Sequence, residues 1–188
     1  MRQRRAPVAG PEPYLAEPGD LAVMLAVPAD DVQLLAALRA SSARFRGQVR
    51  HPVSLVTDDT TVLDGSGRAL LQLPAAPVVA IRSVRVDGVT LEGVRVRRQA
   101  GLLLHPGGCW DEWSEVEVRW DHGHAVIPAD VAEAVIDQAR TIYRTDPAIQ
   151  QITTGTESVS FAATAAVGIT EQWRAAVEAH RLNRGDDA

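Results

Sequence analysis

The apolar residues of this chain change period twice, from helical to alternating and back to helical. That change constrains the fold more than any single motif. From Val32 the apolar positions Val32, Leu35, Ala36, Leu38, Ala43 and Phe45 fall close to helical spacing. Asp30 precedes them as an N-cap. Arg39, Arg44 and Arg46 populate the later turns, where the helix dipole favours cations, and Gly47 supplies a stop. These signals predict a first long helix over about 30–46. A short helical turn from Asp20 to Leu25 precedes it. The Pro-rich residues 1–19 read as an extended arm.

Short strands separated by turns replace helical spacing over residues 49–121. Candidates are Val53 to Thr57, Thr60 to Leu63 and Ala69 to Leu73, with turn chemistry in Asp64-Gly65-Ser66-Gly67. The clearest strand is Ala80 to Val86, followed by Asp87-Gly88, a dipeptide suited to a tight hairpin turn. Val94 and Val96, alternating with Arg95 and Arg97, form the expected return. Leu102 to Leu104 and then Val116, Val118 and Trp120 follow. Alternation of this kind means one buried and one wet face.

Helical spacing resumes at Pro128, which suits a first helical turn. Val131, Val135, Ile136, Ala139, Ile142 and Tyr143 make a stripe that Asp146-Pro147 ends. Residues 148–168 are rich in Thr, Ala, Gly and Ser, and Thr170 is an N-cap for a last helix bearing Trp173. The fold class is α+β. Helices at about 30–46, 128–145 and 170–183 form a helical core into which a small antiparallel β-sheet or sandwich, about 49–121, is inserted. On this reading residues 20–184 are one domain, 1–19 a flexible arm and 185–188 a disordered tail.

At 46% hydrophobic residues the chain can bury enough apolar surface to offset chain entropy. Its net charge of −5 argues against nucleic-acid binding through the whole surface, which depends on neutralising phosphates. All 19 basic residues are arginine, a bias that fits a high-GC genome better than a mechanism. Arg2, Arg4 and Arg5 suit a solvated tail better than a nucleic-acid-contacting arm. The single cysteine, Cys109, allows no intrachain disulfide, which suits a cytosolic protein. No run approaches the ~20 apolar residues that cross a bilayer, and the N-terminus lacks the apolar stretch of a signal peptide.

Chemistry is sparse. His105, Cys109, His122 and His124 lack the paired spacing of a zinc site, so no metal is expected. Ser114, His122 and Asp121 make a triad only on paper, since no nucleophile elbow presents the serine. No phosphate loop is present, and no cofactor is implied. Asp58-Asp59 and Asp111-Glu112 read as solvated turn acids rather than a cation site. Trp120 belongs inside the sheet. Trp110 and Trp113 flank a polar turn, where exposed aromatics favour protein interfaces.

Four stretches in order, DDVQLLAALRASSARFRGQV, LPAAPVVAIRSVRVDGV, IPADVAEAVIDQARTIYR and TGTESVSFAATAAVGITEQWRAAVEAHR, resemble the head–tail connector (adaptor) proteins of long-tailed phages, prophages and gene transfer agents. The resemblance covers about residues 20–183, and none of its motifs is a catalytic signature. It implies a non-enzymatic ring, commonly a dodecamer. Such a ring sits in the virion neck after assembly in the host cytoplasm, docked on the portal protein and bridging it to a stopper or tail terminator. DNA passes through the lumen without specific binding. By position it assigns portal contact to Thr156, Glu157, Ser158, Val159, Ser160 and Phe161 and to the last helix around Trp173. Residues 155–168 depart from the family in lacking its glycine-and-tyrosine character. A polar strand such as 157–161 suits addition to a neighbour's sheet edge, and equally a plain surface loop. Trp110 and Trp113 join the expected partner surface, because a ring interface must match two different faces of each subunit. Two alternatives stand beside this reading. One is a head-completion or tail-terminator protein, expected to be mostly β without the flanking helices. The other is a small hydrolase or ligand-binding β domain with a Trp-lined pocket.

Overall fold

The structure, a computed structural model, describes residues 13–144, 152–154, 157–159 and 169–182. It is α+β. The described elements run α1 (Pro18–Leu25), α2 (Val32–Val49), β1 (Val56–Asp64), β2 (Leu70–Gln72), β3 (Val78–Val86), β4 (Val89–Thr90), β5 (Arg95–Arg97), β6 (Leu102–Leu104) and β7 (Glu115–His122). After these come α3 (Ala129–Arg144), β8 (Ile152–Thr154), β9 (Glu157–Val159) and α4 (Glu171–His180). The chain divides into two compact units. One joins Pro13–Val49 to Ile127–His180 and holds the helices. The other is Arg50–Val126 with Arg181 and Leu182, and holds β1 to β7.

In the helical unit, α2 runs past the expected stop at Gly47 to Val49. Arg50, at φ 65°, takes the left-handed position that glycine was expected to fill. Its cap is Asp31, one residue later than expected, whose Oδ1 accepts from the Leu34 N–H at 2.8 Å. The buried stripe also differs from the sequence reading. It is Leu34, Ala37, Leu38, Ser41, Ser42, Phe45 and Val49, while Val32, Ala36 and Ala43 are exposed. The two serines sit in the stripe because each hydroxyl has a fixed partner. Ser41 Oγ donates to the Val135 carbonyl of α3 at 2.8 Å. Ser42 Oγ donates to the Leu38 carbonyl at 2.8 Å and accepts from the Leu15 N–H at 3.0 Å. Leu15 is fully buried, so residues 13–19, read as part of an extended arm, pack onto α2 instead. Pro18, not Asp20, opens α1. The α3 stripe buries Val131, Val135, Ile136 and Ala139 as expected, with Ala134 and Gln138 added.

The β unit has two antiparallel sheets, ordered β1-β7-β3-β4 and β2-β6-β5. Val78, Val84, Val116, Val118 and Trp120 of the first sheet and Leu71 and Leu103 of the second join one core, which makes the unit a small sandwich. The two candidate strands before Asp64 are a single strand, β1, bent by a bulge. Asp87 and Gly88, at φ 49° and 79°, make the expected tight hairpin with two positive-φ central residues. Its return is Val89–Thr90. The Val94-Val96 stretch lies past Gly93 and pairs with β6 in the other sheet, so it is not the hairpin's second arm. Gly123, at φ 90°, lets β7 continue beside Ser54. A Cβ there would stand 2.3 Å from the Ser54 carbonyl oxygen.

Two substitutions test these devices. Gly123→Ala is expected to destabilise the protein by more than about 2 kcal/mol, from backbone strain and the clash together. Ser42→Ala is expected to cost about 1–3 kcal/mol, because the buried Leu15 N–H loses its acceptor. Urea unfolding followed by circular dichroism measures both.

Candidate functional site

Trp113 is 80% exposed and stands at φ 69°, a conformation that a bulky residue rarely adopts. The turn that presents it is held from behind. Ser114 Oγ donates to the Asp111 carbonyl at 2.7 Å, and the Gly65 N–H donates to the Ser114 carbonyl at 2.8 Å. A Cβ at Gly65 would stand only 1.9 Å from Asp111 O, so this backbone approach requires glycine. Asp111 and Glu112 beside it are exposed, as a solvated turn predicts.

The other expected partner tryptophans are internal. Trp110 is 1% exposed in the sandwich core, with the His105 ring edge-on at 4.9 Å. The polar turn begins only after it, so it offers no surface to a partner. Trp173 is also 1% exposed. Its ring meets Phe45 edge-to-face at 5.3 Å, and its Nε1 donates to Gln48 Oε1 at 2.7 Å. Thr170 Oγ1 accepts from the Trp173 N–H at 3.1 Å, which makes Thr170 the expected cap of α4. Further along α4, His180 Nε2 lies 2.9 Å from Asp130 Oδ2 of α3. Trp173 therefore anchors α4 within the helical unit. Of the expected portal-contacting segment, Glu157, Ser158 and Val159 form β9, paired antiparallel with β8. Thr156, Ser160 and Phe161 lie outside the described residues.

A charged cluster that sequence reasoning missed lies on β1, β3 and β7. Between the pairs Val56–His122 and Asp59–Trp120, β1 holds one residue more than β7, and Asp58 takes φ 58° to absorb it. The Asp58 N–H donates to Asp121 Oδ1 at 2.7 Å. Arg82 grips the same carboxylate with two bonds of 3.0 and 2.8 Å. Arg119 donates through Nε and Nη2 to the carboxylate of Asp58. The bulge sends Asp59 inward, where it meets buried His122 at 3.0 Å, and the His122 ring leans on Trp120 at 4.3 Å. Asp58-Asp59 is therefore no turn pair. One acid joins a surface network and the other is buried. Only the doubled acid beside alternating residues signalled the bulge, and that pattern is equally common in turns.

The Asp58 N–H and then the Arg82 guanidinium hold the Asp121 carboxyl below the usual aspartate range. Arg119, mainly through its hydrogen bonds, does the same for Asp58. Asp58 and Asp121 are thus each paired with an arginine, Arg119 and Arg82. Ser114 precedes β7 and Asp121 lies near its far end, about 23 Å away at strand rise, so with His122 they form no triad. Among the described residues no three His, Cys, Asp or Glu side chains gather as a metal set, and no helix is long and apolar enough to cross a membrane.

A family model described as head completion protein matches residues 22–182. The chain resembles three solved chains, each at 19% identity with 98% of this chain and 97% of the other covered. One is from the neck of a native gene transfer agent particle computed with C12 symmetry, at a TM-score of 0.60. Another is from the neck of an empty particle computed with C6 symmetry, also at 0.60. A third is from the virion of the native particle, at 0.66. No curated protein matches the chain. The matched span includes α2, α3 and α4, so the expectation that a head-completion protein lacks flanking helices does not hold for this family.

The tryptophans separate by stability. Trp173→Ala is expected to cost about 3–5 kcal/mol, as for other large buried rings, and Trp113→Ala to stay within about 0.5 kcal/mol. Urea unfolding of both variants checks this. For Asp121, a folded pKa below the unfolded one means its contribution is complete above the ordinary value of about 3.9 and is lost as pH falls through the lower folded value. Asp121→Asn is expected to be less stable at pH 7 and to lose less stability than the parent between about pH 5 and pH 2, read as the midpoint of thermal unfolding.

Proposed function

This chain belongs to the head completion protein family, and on that premise we propose that it is a structural adaptor in the neck of a tailed phage or phage-like particle. It acts as a ring docked on the portal protein and bridges the portal to a tail-proximal stopper or tail terminator. It uses no cofactor and has no enzymatic activity. The observation that bears most weight is the family match over residues 22–182, which takes in elements of both units. Likeness to neck chains over nearly the whole length supports the same role, and the C12 symmetry of one of those necks motivates a ring of twelve.

In this reading the helical unit is the core of the adaptor and Arg50–Val126 an insertion within it. The β8–β9 ribbon supports portal contact at 156–161, because a two-stranded ribbon offers unpaired strand edges to a neighbour's sheet. With Trp173 internal, α4 meets the portal through exposed residues such as Glu171, Arg174 and Glu178. A net charge of −5 lets DNA cross the lumen without adhering.

Light scattering coupled to size exclusion tests the proposal, with the protein alone and then mixed with its candidate portal protein. Ring-sized oligomers or co-elution with the portal are expected. A strict monomer that ignores the portal would overturn the adaptor role.

A further inference from the structure

Two surfaces of the β unit carry opposite charges that no ion pair among the described residues neutralises. One is the Trp113 turn, where the exposed indole sits beside the exposed acids Asp111 and Glu112. The other is β5, an edge strand of its sheet, where Arg95 and Arg97 project from one face at i and i+2. Both arginines are exposed. Among the described residues, none of these four charged side chains takes part in an ion pair. The arginines of β3 and β7 behave differently: Arg82, Arg85 and Arg119 all have carboxylate partners.

We propose that the Trp113 turn of one copy docks on the Arg95–Arg97 edge of the next, as the head-to-tail contact of the ring. The proposal rests on the ring reading above. Three observations favour a second copy of this chain as the occupant. A ring contact is heterologous, so each subunit must offer two different, complementary surfaces, and this chain offers an acidic aromatic knob and a basic edge. Guanidinium groups suit the face of an indole and the adjacent carboxylates together. The knob is also preorganised: the Ser114 hydroxyl bond to the Asp111 carbonyl and the Gly65 N–H bond to the Ser114 carbonyl hold the turn, with Trp113 at its positive φ, in one shape, so little ordering is needed on docking.

Charge reversal tests the contact in the full chain, with ring assembly read by light scattering alone and on the portal. Asp111→Arg with Glu112→Arg, and separately Arg95→Glu with Arg97→Glu, are each expected to weaken ring formation at least about tenfold. Trp113→Ala is expected to do the same. The four reversals combined are expected to restore the ring, a result that misfolding of the single-surface variants could not give. If the parent forms rings and the reversed variants form them equally well, the proposed contact is wrong while the adaptor role stands. Variants that close into rings yet fail to bind the portal would move the Trp113 turn to the portal interface and overturn the self-contact. A combined variant that stays monomeric would overturn the pairing of these two surfaces. A parent that neither forms rings nor binds the portal would overturn the adaptor role, and this contact with it.

Discussion

Hydrogen bonding of β7 to neighbours on both sides is the constraint on which the β unit depends. β1 and β3 both pair antiparallel with it, and its Val116, Val118 and Trp120 supply the middle of the shared core. Along most of its length the alternation of buried and wet residues follows from the pleat alone. At its far end the rule breaks, because Asp121 and His122 are consecutive and both buried. The cause lies in the neighbours. Irregularities in β1 and β3 shift the register at that level. The polar groups so displaced find partners in Asp58, Arg82 and Asp59 rather than in water.

Much of this architecture was legible in the sequence. Alternation in Val116-Glu117-Val118-Arg119-Trp120 and the Asp87-Gly88 turn rest on local physics and appear as read, and Pro128 stands one residue before α3, its carbonyl accepting from the Ala132 N–H. The misreadings share a different origin. In α2 the buried face includes Ser41 and Ser42, and no count of apolar residues finds a seam that depends on hydroxyl hydrogen bonds to α3 and to Leu15. The partner of β5 was misassigned because strand pairing is a long-range choice, and nearness along the chain favoured the wrong one. Arg50 ends α2 in the left-handed region without glycine, so the glycine rule pointed three residues too early.

The expected interface residues divide for the same reason. A tryptophan beside a polar turn reads alike whether it faces in or out. Trp110 faces in because it falls before the turn, with its backbone N–H bonded to Arg68, and Trp113 faces out because it falls within the turn. Trp173 looked like a contact residue only through resemblance, and its spacing with Ala176 already marked it as the inner face of α4. The charge network around Asp58 was beyond sequence reasoning, since it joins three strands, with Asp121 63 residues from Asp58 and 39 from Arg82 along the chain.

The discontinuity of the helical unit sets an order of events during synthesis. Every strand of the sandwich has been made once residue 122 is complete, before any of α3 exists. The helical unit closes over much longer separations: Ser41 waits for Val135, 94 residues later, and Gln48 for Trp173, 125 residues later. Closing such loops has a high entropy cost and belongs late in folding. The sandwich can therefore fold cotranslationally while α2 still has its apolar face in water. That interval is when the nascent chain is most exposed to aggregation and to chaperone capture.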